Sequence, residues 1–411
     1  MNEIFHLRLK DSVSSAVRSW WRNHNKLLVT LGLALMVSAA VPRMAYEVWR
    51  LLFDSGRLGA IDLKIFHEFV NGWFTGRPVY SEFTTANYPP ASFVILWPLV
   101  GWLKITPARW LFAFSVALSL AWLISLTIRE VHATGLFEKI FVSFFIISIY
   151  PTAVTIGNGQ LVIYIIALLL ASVLLLQRKR QSWRRDILVA SLMAMSLVKP
   201  TVSAPFFWLV LFLPNTLRPA LMVVVLYSCL TVFAAHFQPY GFFPLMRDAV
   251  DHCLQGAAIQ AEIHGYANFH SWLVAFGLKD LNVYVSLLIL AGLGYWIYRN
   301  RQADIWLLLG VTAIIARIWT HHPVYEDFLI LLPMVSLVRI IKRGTDKDGS
   351  DVLAGGLLSI AWLAMLVPAS TRLLPVPWSL LFTVGQAGIC LLILSFLLYQ
   401  VWRGKTDVEF L

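Results

Sequence analysis

Charged residues are scarce in this chain, and so are cysteines. Of its 411 residues only 13% are charged while 59% are hydrophobic, and the mean hydropathy is +0.72. A soluble globular protein does not need so much apolar surface, so this composition excludes that class and indicates a polytopic membrane protein. The three cysteines (Cys229, Cys253 and Cys390) lie far apart, which argues against a disulfide framework and against a metal site.

Acidic residues are outnumbered by basic ones, 22 to 33, which leaves a net charge of +11. The excess lies mostly in short loops between apolar runs, so it indicates membrane topology rather than nucleic-acid binding. No small-residue cleavage site precedes the first apolar run. We therefore expect residues 1–26 to form a cytoplasmic N-terminal segment and the run from Leu27 to be a retained span rather than a signal peptide.

The apolar runs predict an all-α polytopic membrane protein with about 12 crossings. These runs cover residues 27–42, 89–104, 108–128, 140–157, 160–177, 186–213, 219–236, 281–298, 304–319, 327–341, 352–368 and 378–402. The basic residues before 27, in 178–185 and after 402 belong inside by the positive-inside rule.

That orientation requires two irregular segments. Residues 89–104, interrupted by Pro98, are predicted to be a partial or re-entrant span, and 186–213 to bend at Lys199-Pro200, because proline interrupts a helix. The segment 186–213 can form two short crossings or one half-penetrating bend, and both place Lys199 inside the bundle. The outer face then carries the loops 43–88, 157–160, 199–201, 237–280 and 320–326.

The longest early stretch that mixes charges, aromatics and turn residues is 61–98. Its apolar residues from Ile61 to Trp73 recur at helical spacing opposite Lys64, His67, Glu68 and Asn71, which predicts an amphipathic helix in the membrane interface. Asp62 stands at the start of this helix. It can be the N-cap, a general base at the membrane surface, or both.

Three further groups of polar residues are candidates for a site. Gly157-Asn158-Gly159-Gln160 is either a tight turn or a sugar-binding loop in which glycines admit the ligand and the amides bind hydroxyls. Lys199 inside an apolar segment indicates an anionic partner, for which phosphate is the natural choice, although snorkelling to the interface is the simpler alternative. Arg317 also lies inside an apolar span.

The third group continues after Arg317 into His321-His322-Pro323. Zinc binding with Glu326 or Asp327 is disfavoured, because adjacent histidines followed by proline give poor tetrahedral geometry. A histidine that donates to a phosphate or sugar oxygen fits better, and a plain hydrated loop is the alternative. The outer loop 237–280 has helical and aromatic patches suited to covering a cavity.

In order along the chain, several motifs resemble the polyprenyl-phosphate-dependent glycosyltransferases of family GT87. This family belongs to the GT-C membrane superfamily and includes mycobacterial mannosyltransferases and arabinofuranosyltransferases. The resemblance covers roughly 27–335. It is carried by Asp62-Leu63, Gly76-Arg77-Pro78-Val79-Tyr80, Tyr88-Pro89-Pro90, Gly159-Gln160, Lys199-Pro200, Asn268 with Ser271, and the segment 328–333.

The resemblance implies a single GT-C-type transmembrane domain over 27–411, with 43–88 as the catalytic outer loop and 237–280 as a covering loop. Asp62 would be the catalytic aspartate of an inverting transferase. The donor phosphate would be held by Lys199, His321, His322 and Arg317, and sugar or acceptor by Tyr88, Asn158, Gln160, Asn268 and Tyr325. The chain departs from the family pattern at Lys64, at the Asn268 to Ser271 spacing and at Glu326-Asp327.

The reaction implied is transfer of a sugar, with mannose favoured over arabinofuranose, from a polyprenyl monophosphate to a glycolipid or polysaccharide hydroxyl. No DxD-type motif stands in an inside loop, so a nucleotide-sugar donor is not expected, nor is a metal or other cofactor. The expected location is a bacterial inner membrane with the site on the outer face. A transporter or flippase is the alternative, although no repeated half-sequence is found. A structural subunit is the third class, and the isolated Lys199 argues against it.

Overall fold

The computed structural model describes residues 27, 29–83, 85–178, 181–263, 268–320, 324–344 and 349–409, and that part of the chain is helical without strands. The α-helices are α1 (Val29–Leu52), α2 (Ile61–Phe74), α3 (Val79–Glu82), α4 (Pro90–Leu96), α5 (Ile105–Glu130), α6 (Leu136–Ser148), α7 (Tyr150–Asn158), α8 (Val162–Leu176), α9 (Trp183–Ser196), α10 (Pro200–Phe212), α11 (Leu217–Ala235), α12 (Phe242–Ile263), α13 (Phe269–Ala275), α14 (Asn282–Asn300), α15 (Ile305–Ile318), α16 (Leu331–Arg343), α17 (Ser350–Leu366) and α18 (Trp378–Glu409).

Five of these helices are long and apolar enough to cross a membrane: α1, α5, α11, α14 with the turn before it, and α18. The α6–α7 pair makes a sixth candidate that is bent by 57°. The all-α membrane class is therefore confirmed. The prediction of about 12 crossings stays a prediction, since α8, α10, α15, α17 and the α4 segment are each shorter than a full span.

The break predicted at Lys199-Pro200 is confirmed, whereas the partial or re-entrant course of 89–104 stays a prediction. Helix α9 ends at Ser196 and α10 begins at Pro200, so the chain breaks at Lys199 as predicted. Helix α4 passes into a π-helical turn, Trp97–Gly101, which contains Pro98. The bend between α6 and α7 was not predicted. It arises because Ile149 is extended and Pro151, which lacks an N–H, cannot continue the hydrogen bonds of α6.

The buried centre of the molecule is α15. Nearly all of its residues are buried, and it packs against α10, α16 and α18. A helix that is apolar on every side is expected in the middle of a bundle rather than at its lipid surface. The exposed apolar faces of α5, α11 and α14 suit contact with lipid.

Helix α2 is packed into the bundle by its aromatic side. Trp73 is fully buried, its indole N–H donates to the Ala234 carbonyl oxygen at 2.9 Å, and its ring stacks on Phe93 with centroids 4.2 Å apart. Leu63 is buried, whereas Ile65 is only partly buried. The buried face of α2 is therefore rotated relative to the apolar face predicted from the sequence. The interfacial position of α2 stays a prediction.

The N-cap interpretation of Asp62 is wrong. The N-cap of α2 is Ala60, which has a left-handed backbone (φ 49°), and Asp62 lies in the first helical turn. The loop before it is held by Arg109, whose guanidinium donates to the carbonyl oxygens of Asp54 at 2.9 Å and Gly59 at 2.8 Å. The carboxylate of Asp62 is therefore not consumed in capping its own helix.

Candidate functional site

The end of α7 brings two side-chain amides to Asp62. The amides of Asn158 and Gln160 both lie near enough for their side chains to lower the pKa of the Asp62 carboxyl group, and Gln160 is buried. Between them Gly159 has φ +77°, and a Cβ built there would lie 2.4 Å from Cβ of Leu63. The predicted turn is confirmed. The absence of a side chain at Gly159 allows α7 to approach α2 closely, whereas the sequence analysis assigned the glycines of this turn to the approach of a ligand.

Helix α1 contributes a second contact to this turn. The guanidinium of Arg50 donates to Oδ1 of Asn158 and forms an ion pair with Glu47 at 2.7 Å. Arginine has donors only, so this bond assigns Oδ1 of Asn158 to Arg50 and leaves the amide N–H groups for Asp62. The orientation of the Asn158 side chain at the end of α7 thus depends on a charged residue of α1.

Lys199 lies on the other side of the same site. Its ammonium forms an ion pair with Glu326, lies near the hydroxyl of Tyr88 and lowers the pKa of that group, and lies 5.1 Å from the ring centroid of Tyr325. The Tyr325 carbonyl oxygen in turn accepts from Thr155 of α7 at 3.2 Å. Lys199 and Glu326 are both buried, so the pair is shielded from bulk water.

These two halves form one electrostatic unit. Burial raises the pKa of Asp62, and the hydrogen bond from Gln160 and the charges of Lys199 and Arg50 offset that rise only in part. Burial also raises the pKa of Tyr88 to about 12, so its hydroxyl stays protonated at neutral pH. A carboxylate with a raised pKa can accept a proton, and a buried cation beside it can bind an anion. The site therefore offers both functions in one place.

The structure therefore brings together six of the predicted site residues, which are Asp62, Tyr88, Asn158, Gln160, Lys199 and Tyr325. The predicted histidines His321 and His322 lie outside the described residues.

Arg317 and Asn268 have structural partners. Arg317 is 1% exposed and binds Asp327, with Nε and Oδ1 2.5 Å apart, so a phosphate there would compete with that carboxylate. Asn268 is the N-cap of α13, and its Oδ1 accepts from the backbone N–H of Ser271 at 3.0 Å. Their predicted binding roles stay predictions.

Three residues of the site were missed by sequence reasoning: Glu47, Arg50 and Glu326. The sequence predicts that the first apolar run ends at residue 42, whereas helix α1 continues to Leu52. Two charged residues at i,i+3 spacing inside that continuation are the signal that could have found Glu47 and Arg50. Glu326 was considered as a zinc ligand and as a departure from the family pattern, but not as the partner of Lys199, because nothing local links the two residues.

Comparison with protein families gives one match. The model of glycosyltransferase family 87 matches residues 85–318, which is more than half of the chain. The chain belongs to glycosyltransferase family 87. No curated protein and no solved structure matches it. The match includes Tyr88, Asn158, Gln160 and Lys199 of this glycosyltransferase, whereas Asp62 lies before the matched segment.

Proposed function

We propose that this glycosyltransferase moves a sugar from a polyprenyl monophosphate donor to an acceptor hydroxyl with inversion at the anomeric carbon. Mannose is the favoured sugar, and a glycolipid or polysaccharide at the outer membrane face is the favoured acceptor. The observation that carries the proposal is the shared site of Asp62 and Lys199, in which the charge of the lysine lowers the pKa of the carboxyl group. Such a pair suits a reaction in which a proton is taken up and a phosphate leaves.

Asp62 is the proposed general base. The acceptor oxygen forms a bond to the anomeric carbon, its proton passes to Asp62, and the bond from that carbon to the phosphate oxygen breaks on the opposite face. The raised pKa of Asp62 favours this role, because a base is most effective when its pKa approaches the working pH. Asn158 and Gln160 hold the carboxylate in place through their amide donors.

Lys199 is the proposed cation for the leaving polyprenyl phosphate. An ammonium has three donors, so Lys199 can keep contacts with Glu326 or Tyr88 while it binds a phosphate oxygen. A positioned donor of this kind contributes about 2.7–4 kcal/mol to a transition state. Three further residues are proposed to help bind the phosphate: His321, His322 and Arg317. The sugar or the acceptor is proposed to be bound by Tyr88, Tyr325 and Asn268 together with the amides of Asn158 and Gln160.

The proposed setting is a bacterial inner membrane, with about 12 crossings, α2 near the outer interface and the segment 237–280 over the site. A transporter or flippase of a lipid-linked substrate is the less favoured function. The family match indicates a transferase, and no internal repeat is found in the sequence.

A donor panel tests the proposal. Purified protein in lipid nanodiscs is incubated with a glycolipid or polysaccharide acceptor and, in separate reactions, with polyprenyl-phosphate mannose, polyprenyl-phosphate arabinofuranose or a nucleotide sugar, and transfer of sugar to the acceptor and consumption of each donor are measured. We expect a polyprenyl donor to be consumed by the unmodified protein and by Asp280→Asn, which alters an exposed aspartate, but not by Asp62→Asn. Consumption of the nucleotide sugar alone would refute the proposed donor.

A further inference from the structure

A second group of hydrogen-bonded polar side chains lies outside the site described above. His270 of α13 is 4% exposed and Ser286 of α14 is 7% exposed, and Nε2 of His270 lies 2.7 Å from Oγ of Ser286. The hydroxyl of Ser286 donates to the carbonyl oxygen of Trp319, at the end of α15, at 2.8 Å. Two consecutive hydrogen bonds therefore join three helices.

The direction of the first bond follows from the second. A serine hydroxyl has one proton to donate, and that of Ser286 goes to the Trp319 carbonyl oxygen. The Ser286 oxygen therefore accepts from His270, so Nε2 of the ring carries a hydrogen. Burial lowers the pKa of His270 to about 4, so the ring is uncharged at neutral pH and donates in one tautomer.

Trp319 extends this chain of bonds to the break between α9 and α10. Its indole N–H donates to the carbonyl oxygen of Thr201 at 2.8 Å. Thr201 lies in the first turn of α10, and the N-cap of that helix is Lys199. The four linked residues (His270, Ser286, Trp319 and Thr201), here called the His270 network, thus end two residues from the proposed phosphate-binding cation.

The backbone at Lys199 makes the ammonium sensitive to that contact. Lys199 is not helical (φ −132°, ψ 85°), because Pro200 follows it and disfavours the helical conformation. The direction of its side chain therefore depends on how the first turn of α10 is held. Trp319 holds this turn from α15, and His270, at the other end of the network, belongs to the predicted covering loop 237–280.

We propose that His270 is a positioning residue, which acts through Ser286 and Trp319 to fix the first turn of α10 and thereby the ammonium of Lys199. The inference rests on the proposed function, since it gives the covering loop a part in stabilising the leaving phosphate. A catalytic group misplaced by about 1 Å can cost roughly 10²-fold in rate. Loss of the network should therefore slow transfer in molecules that still fold.

Two amide substitutions test this role. The side-chain nitrogen of glutamine lies about where Nε2 of histidine lies, whereas that of asparagine reaches only as far as Nδ1. His270→Gln can therefore keep the bond to Ser286, and His270→Asn cannot. His236→Asn, at an exposed histidine that ends α11, is the control.

The first measurement is kcat with the polyprenyl-phosphate sugar that the unmodified protein consumes. We expect kcat to fall at least ~tenfold in His270→Asn and to stay within about twofold in His270→Gln and His236→Asn, with KM for the acceptor unchanged. Equal kcat in the two His270 variants would overturn the proposal. Trp319→Phe lacks the indole N–H, breaks the network at its other end and should also lower kcat, so it serves if His270→Asn does not fold.

Hydrogen–deuterium exchange tests the network without any substrate. The N–H of Val202 donates to the Lys199 carbonyl oxygen at 3.0 Å, so its exchange reports on the first turn of α10. We expect faster exchange in His270→Asn and Trp319→Phe than in His270→Gln. Unchanged exchange in the first two variants, or faster exchange with unchanged kcat, would refute the positioning role. If exchange changes as expected while no polyprenyl donor reacts with any of the proteins, the proposed function fails and the network stands.

Discussion

The ammonium of Lys199 and the carboxylate of Glu326 form a buried ion pair across the break between α9 and α10. The lysine that sequence reasoning assigns to a phosphate alone therefore has a protein anion beside it. Lys199 therefore has a structural role beside its proposed role in binding phosphate, because removal of Lys199 would leave the buried carboxylate of Glu326 without its ion-pair partner. Structural and catalytic effects have to be separated in any test.

A double substitution separates them. Lys199→Met is expected to lower the free energy of unfolding by about 3–5 kcal/mol, since it leaves the buried carboxylate of Glu326 without this cation. Lys199→Met with Glu326→Leu removes both charges and should recover most of that loss. Transfer should stay at least ~100-fold slower in both variants, as for loss of a positioned donor. Initial rates at varied donor concentration check this, and recovery of transfer in the double variant would show that Lys199 is only structural.

Asp62→Asn should slow transfer strongly without loss of stability. Removal of a general base costs about 10²–10⁴ in rate. Burial raises the pKa of Asp62 in the folded state, so its contribution to stability is present at low pH and is lost as pH rises through that pKa. Asparagine cannot ionise, and the variant should be at least as stable as the parent at pH 8, with a smaller difference at pH 4. Thermal unfolding in detergent measures this; a less stable variant at pH 8 would contradict it.

Arg50 is expected to set the pH dependence of transfer. Its charge lowers the pKa of Asp62 and its guanidinium orients Asn158. Arg50→Gln should therefore raise that pKa and move the acidic limb of the rate profile to higher pH, while Arg50→Lys keeps the charge and shifts it less. Arg57→Gln, at an exposed position in the following loop, is the control. Identical acidic limbs in all four proteins would exclude the coupling.

A pair of glycines tests the contact between α7 and α2. Gly159 and Gly277 both have left-handed backbones, at φ +77° and +73°, but a Cβ meets Leu63 only at Gly159. Each alanine variant should lose about 1–2 kcal/mol from backbone strain. Only Gly159→Ala should also slow transfer, because its Cβ displaces Gln160 from Asp62. Equal transfer by the two variants would mean that this contact does not position the base.

Labelling from one side tests the orientation. In a variant without the three native cysteines, Ser81→Cys and Gln181→Cys place thiols at exposed positions before α4 and α9. We expect an impermeant thiol reagent to modify Ser81→Cys in intact cells and to reach Gln181→Cys only after the membrane is opened. The reverse pattern would refute the topology proposed from the basic residues.

The sequence by itself determined the features that depend on neighbours along the chain. The scarcity of charge indicated a membrane protein, Lys199-Pro200 marked a break between helices, and the glycines around Asn158 marked a turn, because hydropathy and backbone geometry act locally.

Only the tertiary structure decided which charges meet. It brought Arg50 of α1 to Asn158, paired Lys199 with Glu326, and engaged Arg317 with Asp327 in the core. Residues 62, 199 and 326 are far apart in the chain, and the interaction of their charges depends on distance and burial, which the packing of helices sets. No local pattern contains that information.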